Sequence, residues 1–99
     1  MKVRNLTSER TGRGVANQFE ITDANIVYFQ SYDSICAKAV YHEGKAYLTF
    51  GRDWDYSKTT LKYLRVWLYD NYFSEYARMS KKELQALIDK GEIVYDENL

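Results

Sequence analysis

The sequence predicts an α+β domain: an antiparallel sheet of about four strands, a longer helix packed on it, a short second helix and a short last strand. Three observations predict it. Apolar and polar residues alternate over 15–21, a two-residue turn at Glu43-Gly44 joins two β-rich runs, and beyond Ser57 the apolar spacing becomes helical.

Residues 1–14 are polar and basic, with Gly12 and Gly14 flanking Arg13, and read as an arm ahead of a single domain over 15–95. The first strand follows, with Val15, Asn17, Phe19 and Ile21 expected on one side and Ala16, Gln18 and Glu20 on the other. Thr22-Asp23 punctuates it. Asn25–Tyr32 is β-branched and aromatic (Ile26, Val27, Tyr28, Phe29) and reads as the second strand.

Ile35–His42 and Lys45–Phe50 form a hairpin whose register is legible. With a two-residue turn, Tyr41 faces Ala46, Ala39 faces Leu48 and Ala37 faces Phe50, so all six apolar groups share a face. Lys38, Val40, His42, Lys45, Tyr47 and Thr49 share the other. A three-residue turn would mix lysine into both faces, because one step of slip exchanges them. The cleaner segregation favours the shorter turn.

Ser57 is the expected N-cap of the first helix, over about 58–72, with Tyr56 and Leu61 at the positions of a hydrophobic staple. Leu61, Leu64, Trp67, Leu68 and Tyr72 form its main stripe, and Tyr63, Val66 and Tyr69 widen it. So wide a stripe implies burial on two sides. One is the sheet; the second helix or a second copy of the chain would cover the other, so a homodimer stays open. Ser80-Lys81-Lys82-Glu83 is a capping box, and Gly91 ends the helix it opens. Ile93-Val94-Tyr95 is available as a last strand, and 96–99 reads as a loose acidic tail.

At 45% apolar and 28% charged, the 99 residues suit one folded domain and not a disordered chain. Fourteen basic residues balance fourteen acidic ones, so no global field draws the protein to nucleic acid or anionic lipid. No apolar run has the length of a membrane span or a signal-peptide core, so no membrane partner and a cytoplasmic location are expected. The single cysteine, Cys36, has no internal disulfide partner and reads as a small buried hydrophobe.

No constellation for catalysis stands out, so the chain is expected not to be an enzyme and to need no cofactor or metal. His42 is the sole histidine and has no nucleophile at a recognisable spacing. Thr11-Gly12-Arg13-Gly14 lacks the second half of a phosphate-binding loop. Asp53 and Asp55 precede a helix, where acids complement the positive N-terminus, and this outweighs an acid–base or magnesium role.

The densest cluster runs from Arg52 to Thr60. Lys58, Lys62 and Arg65 stand at i, i+4 and i+7 and project from one helix face, beside Arg52, Trp54 and Tyr56. With Tyr47 from the hairpin, these seven residues are the candidate partner-binding set, since aromatic and arginine side chains dominate binding hot spots. Cations beside rings also suit single-stranded nucleic acid.

Three spaced boxes, Val15-Ala16-Asn17-Gln18-Phe19, Phe29-Gln30-Ser31-Tyr32 and Trp54-Asp55-Tyr56-Ser57-Lys58-Thr59-Thr60 with Lys62-Tyr63, give the chain a resemblance. It resembles a group of small bacteriophage proteins of uncharacterised function, over nearly its whole length. Where those relatives often continue with Arg-Asn, this chain has Leu64-Arg65. The resemblance implies a phage or prophage origin and a host-cytoplasm location, and brings no activity. The expected function is a non-enzymatic interaction module for a host or phage protein. The alternative is a nucleic-acid binder using the arm (Arg4, Arg10, Arg13) and the basic helix face.

Overall fold

A computed structural model describes residues 1–8 and 10–99. Six strands lie in sequence order in one sheet: β1 (Lys2–Thr7), β2 (Gly14–Asp23), β3 (Ile26–Ser31), β4 (Ser34–His42), β5 (Lys45–Gly51) and β6 (Val94–Asp96). Three helices, α1 (Lys58–Asp70), α2 (Ser74–Ala77) and α3 (Lys81–Asp89), come between β5 and β6. The first five strands are antiparallel neighbours, whereas β6 pairs parallel to β5 through Thr49↔Val94, Phe50↔Tyr95 and Gly51↔Asp96. A parallel neighbour needs a long crossover. The helical segment supplies it. The class is α+β, as the periodicity predicts, with β1 added to the four antiparallel strands and the short last strand that were expected.

The β4–β5 hairpin has the register argued from its side chains: Tyr41↔Ala46, Ala39↔Leu48 and Ala37↔Phe50. Glu43 and Gly44 both take positive φ (50° and 77°), as a tight two-residue turn on right-twisted strands requires. Ser57 caps α1 by accepting from the Thr60 amide at 3.1 Å. Ser80 and Glu83 form the reciprocal capping box of α3, and Gly91 follows it at φ 81°. α1 stops before Tyr72, which takes φ 69° and is exposed, so it is no part of the buried stripe.

Two expectations about the ends of the chain give way. Residues 1–14 are not an arm, because Lys2–Thr7 is the edge strand β1. Leu6 is fully buried, and Arg4 donates through Nε to Glu20 Oε2 at 2.7 Å and reaches Asp70 Oδ2 at 3.4 Å. Partners distant in sequence hold this polar segment down. Arg10 and Arg13 lie in the connection to β2, in which the Ser8 amide donates to the Arg13 carbonyl at 2.9 Å; Glu9, counted in the arm, lies outside the described residues. Residues 96–99 are not loose either. Asp96 belongs to β6, and Leu99 packs so close to Gly51 that a Cβ there would meet Ile35 O at 2.8 Å and Leu99 Cβ at 3.2 Å.

In β2 the simple alternation fails at Asn17, which takes φ 66°. Beyond that kink Gln18 becomes the buried residue, while Phe19 and Ile21 turn to the opposite side and are half-buried. A left-handed residue swaps the faces, and asparagine tolerates that conformation better than most.

The helices cover one face only. α1 lies across β1, β2 and β3. Under this cover Phe29 meets Trp67 at 6.2 Å between centroids, and Phe50 stacks on Trp54 at 5.3 Å. Leu64, Leu68, Leu84 and Ile93 close the cluster, with small Ala37 and Ala39 in its floor.

Candidate interaction surface

The predicted binding set divides among separate parts of the surface. Trp54 is 2% exposed and stacked on Phe50, so it belongs to the core and not to a binding face. The reason is local. Trp54 N donates to Gly51 O at 3.2 Å and Tyr56 N to Asp53 O at 3.1 Å, and these consecutive turns tuck the indole inward while Tyr56 is left 69% exposed. That exposure leaves Tyr56 too little covered to staple α1. Arg52 is exposed, 3.9 Å from Asp53 Oδ1. Lys58 and Lys62 are exposed on α1, the latter with Nζ 5.5 Å from the Tyr63 ring centroid. Arg65 is half-buried, and its Nε donates to Met79 O at 3.3 Å. Tyr47, 54% exposed, lies on the opposite side of the sheet from all of these.

The three sequence boxes do meet. Gln18 pairs with Ser31 across β2 and β3, and the Tyr32 amide donates to Asn17 O at 2.7 Å. Ser31 Oγ lies 3.0 Å from Thr60 Oγ1, which lies 3.0 Å from Ser57 Oγ. A chain of hydroxyls therefore ties the α1 N-cap to the sheet. Beside it opens a cleft of about 500 Å³ walled by Tyr32, Asp33, Ser34, Asp53, Tyr56 and Ser57. Asp53 accepts from Ser34 Oγ at 2.7 Å, and Asp55 turns away to Lys81 at 3.4 Å. The two acids thus serve as local ties and do not converge. Among the described residues no three His, Cys, Asp or Glu side chains are placed to share a metal ion. Burial, aided by the charge of Asp53, pushes the Cys36 thiol up to about 11, which removes its thiolate reactivity near neutrality.

A second polar network closes the far end of α1. Tyr41 Oη donates to Asn71 Oδ1 at 3.0 Å, and Asn71 Nδ2 donates to Glu20 Oε1 at 2.8 Å. Burial and the neighbouring Glu20 charge raise the Tyr41 pKa, so the phenol stays a donor. This is a joint between helix and sheet.

The feature that the sequence reading left largely unassigned is the helix-free face. One row crosses all six strands as Val3, Ile21, Tyr28, Lys38, Thr49 and Val94. A second runs Asp23, Ile26, Val40 and Tyr47. Val3, Tyr47 and Val94 are exposed, and Ile21, Ile26, Tyr28 and Val40 are half-buried. The clue was present: 26–29 is apolar at every position, which a strand with one solvated face does not require.

Fold and surface together define a small α+β protein with one helix-clad and one bare apolar sheet face. The chain belongs to a family of unknown function, DUF8033, whose profile matches residues 1–86. Comparison with curated proteins and with solved structures gives no match.

Proposed function

We propose that this chain is a non-enzymatic interaction module that binds a host or phage protein through the helix-free face of its sheet. The phage origin and host-cytoplasm location that accompany this reading rest on the three sequence boxes. The observation that carries the binding surface is the pair of rows through Tyr28 and Val40, apolar at most positions and left bare by every described helix. A solvated antiparallel face is ordinarily polar, and a contiguous apolar patch on a small protein marks an interaction site.

The patch also states what it fits. Tyr28 and Tyr47 supply rings with polar tips, suited to anchoring a contact. Lys38, within the first row, and Lys45, beyond Tyr47, call for acidic groups opposite them. The partner surface is therefore aliphatic and aromatic with carboxylates at its margin.

The test is an affinity capture from host lysate with wild type and an Ile21→Thr, Val40→Thr, Tyr47→Ser triple variant. A protein retained by wild type and lost by the variant, with both chains melting within a few degrees of each other, is the expected result. Equal capture by both sinks the proposed face. Sedimentation of the same pair distinguishes self-association, since a wild-type dimer that the triple variant converts to monomer would make a second copy the occupant.

A further inference from the structure

On the helical side of the molecule a shallow groove of about 340 Å³ runs between α1 and α2, lined by Lys62, Arg65, Val66, Tyr69, Ala77 and Arg78. Its lining holds three cations and no acid. Among the described residues no carboxylate pairs with Lys62, Arg65 or Arg78. Three like charges around one groove repel one another, and an anion laid between them relieves that repulsion.

The groove is built by a tight reversal. Asn71 ends α1, Phe73 N donates to Leu68 O at 2.8 Å, and the single turn of α2 brings Arg78 back beside the helix it left. Arg65 is held by its bond to Met79 O. An arginine has about five N–H donors in a planar fork, so that bond positions the guanidinium and leaves most donors for a ligand. Tyr69, 64% exposed, adds a ring about two turns along α1 from Lys62.

We infer that this groove binds single-stranded nucleic acid, the cations taking phosphates and Tyr69 stacking a base. The ring decides between polyanions, because a carboxylate-rich peptide needs only the cations, whereas a base uses the aromatic face. The site differs from the arm-and-helix arrangement expected from sequence, since Arg4 is engaged by Glu20 and Asp70 and Arg78 was not foreseen. It is independent of the protein-binding face, which lies on the other side of the sheet.

The experiment is fluorescence anisotropy of a labelled single-stranded oligothymidylate titrated with the full chain, with a polyglutamate peptide as second probe. Saturable binding at low salt is expected, with log affinity falling against log salt at a slope of about −2 for roughly three phosphate contacts. Arg78→Glu and, separately, Lys62→Glu should each weaken it tenfold or more, with the melting temperature as a folding control. Tyr69→Ala should weaken it about fivefold or more, and Tyr69→Phe should not. Absence of oligonucleotide binding at low salt overturns the inference, as does binding indifferent to the charge reversals. Equal binding of polyglutamate with no effect of Tyr69→Ala overturns it in favour of an acidic protein surface.

Discussion

The two faces of the sheet carry similar side chains and have different fates. On β3, Val27 and Phe29 are buried, while Ile26 and Tyr28 are only half-covered. On β4, Ala39 is fully buried and its neighbour Val40 is not. Strand chemistry alone does not make the difference. What separates the faces is the helical cover: α1 brings Tyr63, Leu64, Trp67 and Leu68 down on one side. Small Ala37 and Ala39 on β4 leave room for bulky rings to fill that side. The lesson is that hydrophobicity in a strand marks a face for burial without saying by what. A face covered from within the chain is core, and an equally apolar bare face is available to another molecule.

The strongest way to break this contrast is to remove the cover's anchor. Trp67 is completely buried against Phe29, so Trp67→Ala should cost about 3–5 kcal/mol of stability and for a domain this size threatens folding altogether. Chemical denaturation checks it. A loss below about 1 kcal/mol would mean that the helix is not what distinguishes the two faces.

The second test uses pH. Cys36 is buried, and burial first, with Asp53 adding to it, lifts its thiol from 9.0 to about 11. The folded chain thus holds this proton more tightly than the unfolded one. Its contribution is complete below pH 9 and disappears as pH rises toward 11, a span corresponding to roughly 2–3 kcal/mol. Tyr41, raised by burial and by Glu20, acts in the same direction. Unfolding midpoints measured from pH 8 to pH 11 should fall, and Cys36→Ala should flatten the fall. A variant as alkali-sensitive as wild type would place the origin elsewhere.

Local signals made much of this architecture legible. The hairpin register followed from segregating Lys38 and Lys45 from Ala37 and Ala46, and the helix starts from Ser57 and Ser80, because each depends on residues a few positions apart. What stayed hidden depends on distant partners. Arg4 and Leu6 looked like part of an arm because Glu20, Asp70 and the covering helix lie far along the chain. Trp54 looked like a surface hot spot because the turns that fold it onto Phe50 have no strong composition cue. The swap of faces in β2 hung on one backbone angle at Asn17. The candidate site suffered most, since it required knowing which apolar face the helices would take.

A smaller effect is expected from crowding the covered floor. Ala39 lies between Val27 and Leu48 with no exposed surface, so Ala39→Val adds two methyl groups where the packing has closed. Overpacking of this kind costs about 1–3 kcal/mol, even though valine suits a strand better than alanine. Thermal melts settle the sign. A stabilised variant would show that the cover sits loosely above β4.

The smallest effect is expected one residue along. Val40 pairs with Ile26 and Tyr47 on the bare face, and Val40→Thr keeps the β-branched shape while exchanging a methyl for a hydroxyl. In a closed core that exchange strands a polar group and is costly. On a half-covered face water can reach the hydroxyl, and the change should stay within about 0.5 kcal/mol. Measured beside Ala39→Val in the same background, it puts the comparison into two adjacent residues. If Val40→Thr destabilises as much as a core change, the face is already closed by contacts within the chain or between copies of it. If it is neutral to folding yet weakens capture of a partner, the apolar character of that face is there for binding.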